Sequence, residues 1–449
     1  MALDTDKYIR LGAGAGYSGD RIEPAMELAE KGELHYLIFE CLAERTIALA
    51  QQQKARDPDS GYDPLLEQRI RAILPVCHRN KVKVLTNMGA ANPIAAMHHT
   101  ATIARELGLE KLKIAAITGD DVLQAITGGD YRLLESGKPL SALGDAIISA
   151  NAYLGSAPLV KALESGADVV ITGRVADPVL FTAPIIYEFG WHMEDYDLMA
   201  QGVVLGHLME CAGHITGGYF ADPGFKEVPD LHKLGFPIAE VAADGSFTIT
   251  KLKDSGGMVS TATCKEQLLY EIHDPANYLT PDVIADFTGV TVTETAKDVV
   301  RVLGGRGKEK SGLLKVSVGY TEGYIGEGCI SYGGPGAVAR GRLAIDILKK
   351  RFELRNLKLL EVRYDLIGLN SLYGKLLSAT DPSEVRVRVA GRTMARETAV
   401  EIGREVETLY TNGPSGGGGV TRSVQEVVAI QSVLIDEGLA SPDIQYITI

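Results

Sequence analysis

The segment YIRLGAGAGYSGDR, residues 8–21, joins a short apolar run from Tyr8 to Leu11 to a glycine-rich turn and then to a helical pattern that begins near Asp20. Similar apolar runs alternate with helical patterns as far as about residue 180; they are His35 to Phe39, Val82 to Leu85, Lys113 to Ile117 and Asp168 to Ile171. Such alternation is typical of parallel strands connected by helices. The sequence therefore predicts an α/β fold with a mainly parallel sheet wrapped by helices.

The character of the sequence changes near Ser246. Shorter alternating segments follow, together with a helical pattern from Ala337 to Lys350 and two late helical patterns on either side of NGPSGGGG (412–419). The four consecutive glycines in that segment offer backbone amides that could cradle an anion at the start of the second late helix. We therefore expect an α/β domain with the active-site cleft over residues 1–245 and a smaller α+β domain over residues 246–449.

Composition excludes several classes of function. The 449 residues include 58 acidic and 45 basic side chains, and a formal charge of -13 disfavours a nucleic-acid partner. No apolar run approaches the roughly 20 residues of a membrane-spanning helix, and an acidic amino-terminal segment argues against an export signal. The five cysteines are scattered and odd in number, which fits reduced thiols rather than disulfides or a zinc ribbon. We expect a cytoplasmic protein that binds neither nucleic acid nor a membrane.

Polar and glycine-rich segments begin where the expected strands end. These segments are GAGAGYSGDR (12–21), Glu40, TNMGAANP (86–93), TGDD (118–121) and TGRVADP (172–178). The carboxyl ends of parallel strands lie on one edge of a sheet. The sequence therefore predicts that all five segments line a single cleft.

The first segment, GAGAGYSGDR, allows more than one interpretation. Gly14, Gly16 and Gly19 match the G-x-G-x-x-G pattern of dinucleotide-binding proteins, with Glu40 at the distance expected for a ribose-binding acid. However, the charge of Asp20 would oppose a pyrophosphate at the start of the helix. In the alternative reading, Ser18, Asp20 and Arg21 bind a polar substrate, or Asp20 only caps the helix.

The next three segments offer groups for acid–base chemistry. Asn87 can donate a hydrogen bond to a carboxylate or an enolate, although a simple strand-to-helix turn would look the same. Asp120 and Asp121 could share a proton or bind a hard cation, or one of them could cap the next helix. Arg174, followed by Asp177, could hold a substrate carboxylate at two points, or the two could form an internal salt bridge.

The densest cluster lies in GHLMECAGHITGG (206–218). At helical spacing, His207, Glu210 and Cys211 share one face, and His214 follows shortly after. The spacing matches no standard zinc pattern, so we expect neither a metal nor another cofactor. Glu210 as an acid–base group oriented by His207 is the simplest interpretation, with Cys211 either a buried small residue or a catalytic thiol.

Long motifs in this chain resemble the acyclic terpene utilisation protein A (AtuA-like) family, from near residue 8 to the carboxyl end. They include the five segments above, GHLMECAGHITGGYFAD (206–222), GFPIAEV (235–241) and KEQLLYEIHDPANYLTPDVIADF (265–287). The resemblance implies a catabolic protein of pathways that degrade branched isoprenoid acids as coenzyme A thioesters, with a separate small ferredoxin-like subunit as a possible partner. It also implies the functional residues Ser18, Asp20, Arg21, Asn87, Asp120, Asp121, Arg174, Asp177, His207, Glu210 and Cys211.

These features lead to the hypothesis of a lyase, of the hydratase or dehydratase type, in a homo-oligomer. Its substrate would be a branched or multiply carboxylated acid, or the coenzyme A ester of such an acid. Arg174 would hold a carboxylate, Asp120 or Glu210 would move a proton, and Asn87 with backbone amides would stabilise the enolate-like oxygen. The alternatives are a non-catalytic or scaffolding subunit of an acyl-CoA-processing assembly and an NAD(P)-dependent oxidoreductase.

Overall fold

A computed structural model describes residues 7–374 and 382–449 of the chain. These residues form two compact units. The first contains the described residues up to Gly319 together with Ile430–Ile449, and the second contains Tyr320–Ala429. This division differs from the boundary at residue 245 expected from the sequence, because the antiparallel strands that follow residue 246 belong to the first unit.

The described strands are β1 (Tyr8–Ala15), β2 (Tyr36–Phe39), β3 (Lys83–Thr86), β4 (Lys113–Thr118), β5 (Ile147–Ala152), β6 (Val169–Thr172), β7 (Pro237–Ala242), β8 (Phe247–Lys251), β9 (Tyr278–Leu279), β10 (Ile284–Asp286), β11 (Thr291–Ala296), β12 (Val299–Leu303), β13 (Arg306–Lys308), β14 (Leu313–Gly333), β15 (Glu361–Ile367), β16 (Glu384–Thr393), β17 (Gly418–Asp436) and β18 (Asp443–Thr448). The described helices are α1 (Glu23–Lys31), α2 (Glu44–Arg56), α3 (Leu66–Asn80), α4 (Pro93–Glu106), α5 (Leu123–Ile126), α6 (Ala157–Glu164), α7 (Val179–Phe189), α8 (Tyr196–Glu210), α9 (Thr261–Leu269), α10 (Ala337–Leu354) and α11 (Arg396–Asn412). None of these helices has the length and apolarity needed to cross a bilayer.

The main sheet of the first unit has ten strands in the order β11-β12-β8-β7-β1-β2-β3-β6-β4-β18. Its five central strands, β1, β2, β3, β6 and β4, are parallel, and one row of paired residues crosses all five: Ala13, Ile38, Leu85, Val170 and Ala115. These are the five strands expected from the sequence, so the predicted α/β class is confirmed. The flanking strands are antiparallel, which makes the complete sheet mixed.

The central strands are buried because their residues are apolar on both faces. All four residues of β2 and of β6 are buried, as is usual for parallel strands covered by helices. Helix α4 shows how the helices start: Asn92 accepts a hydrogen bond from the backbone of Ala95, and Pro93 occupies the first helical position. The apolar runs therefore determine the buried strands, and the capping residues determine where the following helix starts.

The glycines of the first segment serve close packing. Gly14 lies inside β1, and a Cβ atom there would come within 2.6 Å of the Phe39 ring. A Cβ atom on Gly16 would lie 2.5 Å from the backbone carbonyl carbon of Cys211. The G-x-G-x-x-G match therefore does not form the usual phosphate-binding turn, because its first glycine belongs to the strand.

The second unit contains β15, β16 and most of β14 and β17, which pair in the order β15-β16-β14-β17, with α10 and α11 packed against β16. Its core includes Ile330, Val387, Leu348 and Ile402. The predicted helix after NGPSGGGG is wrong, and with it the anion site at that helix start, because residues 418–436 form strand β17.

Candidate functional site

Two buried polar side chains, Glu40 and Asn87, connect the ends of the neighbouring strands β2 and β3. Asn87 Nδ2 donates to Glu40 Oε1 at 2.7 Å, and Asn87 Oδ1 accepts from the backbone N–H of Cys41 at 2.7 Å. Burial raises the pKa of Glu40 to about 7, although Arg174 and the hydrogen bond from Asn87 favour the ionised form. Both polar groups of Asn87 are thus used to hold Glu40 and the turn after β2.

Arg174 lies at the end of β6, next to β3, with 1% of its side chain exposed. Its Nε donates to the carbonyl of Val175 at 2.9 Å, its Nη1 donates to the carbonyl of Leu42, and its Nη2 donates to the carboxylate of Asp177. Nη2 also lies 4.0 Å from Glu40 Oε1. These contacts match the alternative of an internal salt bridge and leave no guanidinium nitrogen without a protein partner.

Asp120 and Asp121, after β4, have different environments. Asp120 is buried, and its Oδ2 accepts from the backbone N–H of Arg174 and from Asn151 Nδ2, both at 2.9 Å. Burial raises its pKa to about 6. Asp121 is exposed and accepts from the backbone N–H of Leu123 at the start of α5. Asp121 therefore binds the first residue of a short helix from just before its N-cap, whereas Asp120 holds the turn that carries Arg174.

His207 and Glu210 lie at the end of α8, a helix buried from Met199 to Glu210. A Cβ atom on Gly206 would lie 2.6 Å from Pro178 Cα, so this glycine lets α8 approach the turn after β6 closely. His207 Nδ1 lies 3.0 Å from Glu210 Oε1, and His207 Nε2 lies 3.0 Å from the carbonyl oxygen of Gln267. A carbonyl only accepts, so Nε2 must carry a proton. One more proton must then lie between Nδ1 and Glu210.

The environment of His207 fixes its orientation. Burial lowers its pKa, but the Glu210 carboxylate and the carbonyl of Gln267 more than offset this effect, so the pKa is raised overall. Gln267 Nε2 donates back to the His207 carbonyl at 3.0 Å, and the rings of Tyr278 and Phe287 pack against the imidazole. Among the described atoms, Glu210 Oε2 is buried without a hydrogen-bond partner. This oxygen is available to a proton or to a ligand group.

The pair lies at the wall of a cavity of about 560 Å³ in the first unit. The lining side chains are Glu44, Leu134, Tyr153, Ala176, Asp177, Pro178, His207, Glu210, Glu271, His273, Tyr278, Leu279, Thr280, Pro281, Ser311, Leu313, Lys315 and Leu434. The volume is in the range of small-molecule sites, roughly 300–1,000 Å³. The cavity therefore combines an apolar wall with a few ionisable groups.

A polar network lies at one side of this cavity. Tyr153 donates to Glu44 Oε1 at 2.7 Å, and Lys315 Nζ donates to the same oxygen at 3.3 Å. Burial would raise the pKa of Glu44, but these partners lower it to about 2. The Arg174 guanidinium stacks 4.5 Å from the Tyr153 ring centre, which joins this network to the residues after β6.

The first glycine segment faces elsewhere. Asp20 Oδ2 accepts from the backbone N–H of Gly16 at 3.0 Å and Asp20 Oδ1 from that of Arg21 at 2.9 Å, so the carboxylate occupies amides that a pyrophosphate would need. Arg69 Nη2, fully buried in α3, donates to the carbonyl of Ser18 at 2.6 Å. The Arg21 guanidinium donates to the carbonyl of Leu231. These contacts explain the loop without a bound nucleotide.

The five strand-end segments meet on one edge of the sheet, as expected, but the prediction of a single pocket is wrong. Asp177 lines the 560 Å³ cavity, Asn87 and Ser18 line a separate cavity of about 170 Å³, and Asp20 and Arg21 line a third of about 400 Å³. The parallel strands bring the backbone ends to one edge, but the side chains of the turns line different cavities.

Cys211 belongs to the third cavity, although it follows Glu210 directly in the chain. Burial raises the pKa of its thiol, with further increases from the nearby Glu210 and Glu40. A catalytic thiolate would require a lowered pKa. In the described residues, no group of three or more His, Cys, Asp or Glu side chains is arranged to hold a metal ion.

Comparison with known proteins adds one decisive match. The family described as acyclic terpene utilisation family protein AtuA matches residues 9–446. The chain belongs to this family. Among curated proteins, none matches the chain. One solved structure, the de novo designed protein Foldit4, covers 23% of this chain and 94% of its own at 16% identity and a TM-score of 0.17, which is too slight a likeness to support a conclusion.

Within this AtuA-family chain, the site includes residues that sequence reasoning missed. Gln267, Tyr278 and Leu279 come from the long 265–287 motif, whose length gave no indication of which side chains face the site. Tyr153 and Lys315 lie on segments whose sequence indicates only secondary structure and no function. A buried arginine such as Arg69 was equally hidden, because its partners are backbone carbonyls of a distant loop.

Proposed function

We propose that this chain is a lyase of the hydratase or dehydratase type that acts on a branched acid or its coenzyme A ester. The observation that carries the proposal is the 3.0 Å contact between His207 Nδ1 and Glu210 Oε1 at the cavity wall, which requires a proton between the two atoms. Because Nε2 is held as a donor by the Gln267 carbonyl, that proton can lie on either partner without a change of tautomer. A group with this property can both give and take a proton.

Hydration of a conjugated double bond needs two such tasks. Water forms a C–O bond to the β-carbon and loses a proton to a base, while the α-carbon forms a C–H bond with a proton from an acid; the carbon–carbon π bond is the bond that breaks. In the proposed assignment, the His207–Glu210 pair serves the α-carbon. Asp177, on the same cavity and held by Arg174, receives the proton of water. Dehydration uses the same groups in reverse.

Asp120 and Asn87 have a different part in this proposal. Asp120 accepts two hydrogen bonds and holds the turn that carries Arg174, while Asn87 fixes Glu40. Both are therefore positioning residues in the proposed mechanism. The enolate-like oxygen is instead assigned to Lys315, whose ammonium lines the cavity.

The substrate class follows from the wall of the cavity and from the family. Leu134, Leu279, Leu313 and Leu434 give the cavity an apolar side suited to a hydrocarbon chain. The family name concerns the utilisation of acyclic terpenes, which are branched hydrocarbon skeletons. Both points support a branched acyl group in preference to a compact polar acid.

The proposal is tested by oxygen exchange. The purified protein is incubated in ¹⁸O-labelled water with branched 2-enoic and 3-hydroxy acids and with their coenzyme A esters, and the products are examined by mass spectrometry. A lyase of this type incorporates one labelled hydroxyl into the enoyl compound. The reaction assignment is wrong if no compound of the panel gains or loses water with the native chain. It is also wrong if water is exchanged but Glu210→Gln exchanges it as fast as the native chain.

A further inference from the structure

We infer that the third cavity, of about 400 Å³, is a second ligand site that takes an uncharged planar aromatic ring, and that its occupancy is transmitted to His207 through Gln267. The site itself does not depend on the proposed lyase reaction; only its regulatory consequence does. Three features of the described residues point to it: the side chains of the cavity wall, the stacking of their rings, and the contacts of one buried glutamine.

The wall of the third cavity is aromatic, whereas the apolar side of the 560 Å³ cavity consists mainly of leucines. The described aromatic side chains that line it are Tyr17, His214, Tyr219, Phe236 and Tyr270. Tyr219 is 90% exposed and Tyr17 is 61% exposed, so no part of the described chain covers most of either side chain. Exposed aromatic side chains gathered at one cavity are typical of a binding site, and the volume is in the usual range for a small ligand.

The rings of this wall are already arranged in the two geometries that aromatic groups prefer. The His214 and Tyr219 rings stack with their centroids 5.5 Å apart and their planes at 13°, and Tyr270 meets His214 at 5.1 Å and 81°. In both geometries the ring faces and edges attract one another through their opposite partial charges. Tyr219 also has a left-handed backbone, with a φ of 63°, which is uncommon for a bulky residue. The exposed Tyr219 ring therefore offers a flat layer on which another ring can stack.

The charges of this wall favour an uncharged ligand. Its described carboxylate and guanidinium are those of Asp20 and Arg21, one of each sign. Both Asp20 oxygens accept backbone N–H groups, and Arg21 Nη1 donates to the carbonyls of Leu231 and His232. A charged ligand would meet one attracting and one repelling group and would also lose hydration on entry. A ring that binds through its faces avoids this cost.

Gln267 joins the third cavity to the His207–Glu210 pair. This residue is buried in α9; its backbone carbonyl accepts from His207 Nε2, and its Nε2 donates to the His207 carbonyl, both at 3.0 Å. Its Oε1 lies 3.2 Å from His214 Nδ1. An amide oxygen only accepts, so His214 Nδ1 is the donor. A ligand that moves the His214 ring therefore acts on the same residue that holds His207.

The first test compares 2-naphthol, which is flat and aromatic, with its saturated counterpart decahydro-2-naphthol. Binding to the native chain is measured by calorimetry at pH 7, where both are uncharged because a phenol titrates near pH ~10. Stacking should give 2-naphthol a Kd about fivefold or more below that of the saturated probe. Equal Kd values, tighter binding of the saturated probe, or no binding of 2-naphthol overturns the inference.

Two charged rings of similar size examine the preference for an uncharged ligand. The anion 2-naphthoate and the cation 2-naphthylmethylammonium should each bind less tightly than 2-naphthol, because both lose hydration without gaining a net attraction. Tighter binding of either ion contradicts the assignment of an uncharged ligand.

A pair of variants at Tyr219 locates the bound probe. Tyr219→Phe keeps the aromatic ring and Tyr219→Leu removes it, and neither should change the melting temperature because the side chain is exposed. Tyr219→Phe should bind 2-naphthol within about twofold of the native chain, whereas Tyr219→Leu should bind it about fivefold or more weakly. If Tyr219→Leu binds as tightly as the native chain, the probe lies elsewhere and the inference fails.

The link to His207 is read by NMR of ¹⁵N-labelled histidines. Saturating 2-naphthol should shift the ring nitrogens of both His214 and His207 in the native chain. His214→Phe keeps a ring beside Tyr219 but lacks the nitrogen that contacts Gln267. This variant should bind 2-naphthol within about threefold of the native chain and leave the His207 signals unchanged. An unshifted His207 in the native chain, or an equal shift in His214→Phe, shows that no signal passes through Gln267. These readings need no turnover, so they are independent of the ¹⁸O experiment.

Discussion

His207 and Glu210 can keep their 3.0 Å contact only with a proton between them, because the carbonyl of Gln267 holds the other ring nitrogen as a donor. The pair is therefore either an imidazolium with a carboxylate or a neutral imidazole with a carboxylic acid. The pair lies at the cavity wall, where a ligand can reach the shared proton.

Replacing Glu210 by Gln should remove proton transfer while preserving the fold. The Gln side-chain amide can donate to the neutral His207 Nδ1, so the local hydrogen bond survives. We expect the rate of hydration or dehydration to fall by ~10²- to 10⁴-fold. The pKa of His207, followed by NMR, should also fall, because the carboxylate that raises it is gone. Glu67→Gln, an exposed change on α3, is the control; a fully active Glu210→Gln would make Glu210 structural.

Glu40 should make the stability of the protein depend on pH. Its folded pKa is raised from 4.5 to about 7, so the folded state binds the proton more tightly and its stabilising contribution is lost as pH rises from about 4.5 through 7. Glu40→Gln keeps an oxygen for the N–H groups of Asn87 and Leu42 but cannot ionise. The fall in melting temperature between pH 5 and pH 8 should be smaller in the variant than in the native chain. An identical fall in both would show that Glu40 does not titrate in this window.

Arg174→Lys should destabilise the protein strongly. A lysine keeps the charge but cannot reach the carbonyls of Val175 and Leu42 and the Asp177 carboxylate together, which leaves buried acceptors unpaired. We expect a loss on the order of 2–4 kcal/mol in thermal or denaturant unfolding. Arg21→Lys, at an exposed arginine, is the control. A variant of native stability that binds ligand poorly would restore Arg174 as a ligand-binding residue.

Gly16→Ala should destabilise the protein by crowding the neighbouring backbone, and it should have no specific effect on nucleotide binding. Its Cβ would lie 2.5 Å from the carbonyl carbon of Cys211, a backbone atom that cannot easily move. Overpacking of this kind costs about 1–3 kcal/mol. Gly333→Ala, where nothing lies within 4 Å of the added atom, should be close to neutral. Specific NAD or NADP binding by the native chain that Gly16→Ala abolishes would favour the dinucleotide reading instead.

The parallel core was predictable because its signal is local. Each of the five strands is an apolar run followed by a turn and a helical pattern, and the five strands pair with one another in the sheet. Strand β17 was not predictable in this way. Residues such as Gln425 and Glu426 favour a helix, but Val433 and Ile435 are buried at the two-residue spacing of a strand. Pairing with distant residues overrode the local preference.

The sequence identified several residues of the candidate site, but it did not identify the groups that surround them. His207, Glu210 and Asp177 do line one cavity, because α8 and the turn after β6 pack together at Gly206. The partners of Arg174, however, are mostly backbone carbonyls, which leave no mark on the sequence. Lys315 and Glu44 lie about 270 residues apart in the chain, and only the folded structure shows that they meet.

The pairing of β18 with β4 affects how the chain folds as it is synthesised. Strand β4 lies at residues 113–118, yet its outer neighbour is residues 443–448, about 325 residues later. At roughly 5–20 residues per second, a ribosome needs on the order of 15–65 s to supply that neighbour. During this interval the β4 edge of the nascent sheet has unpaired backbone groups, a surface prone to association with other chains. Chaperones that shield strand edges should therefore matter more for the yield of this protein than for its stability once it is complete.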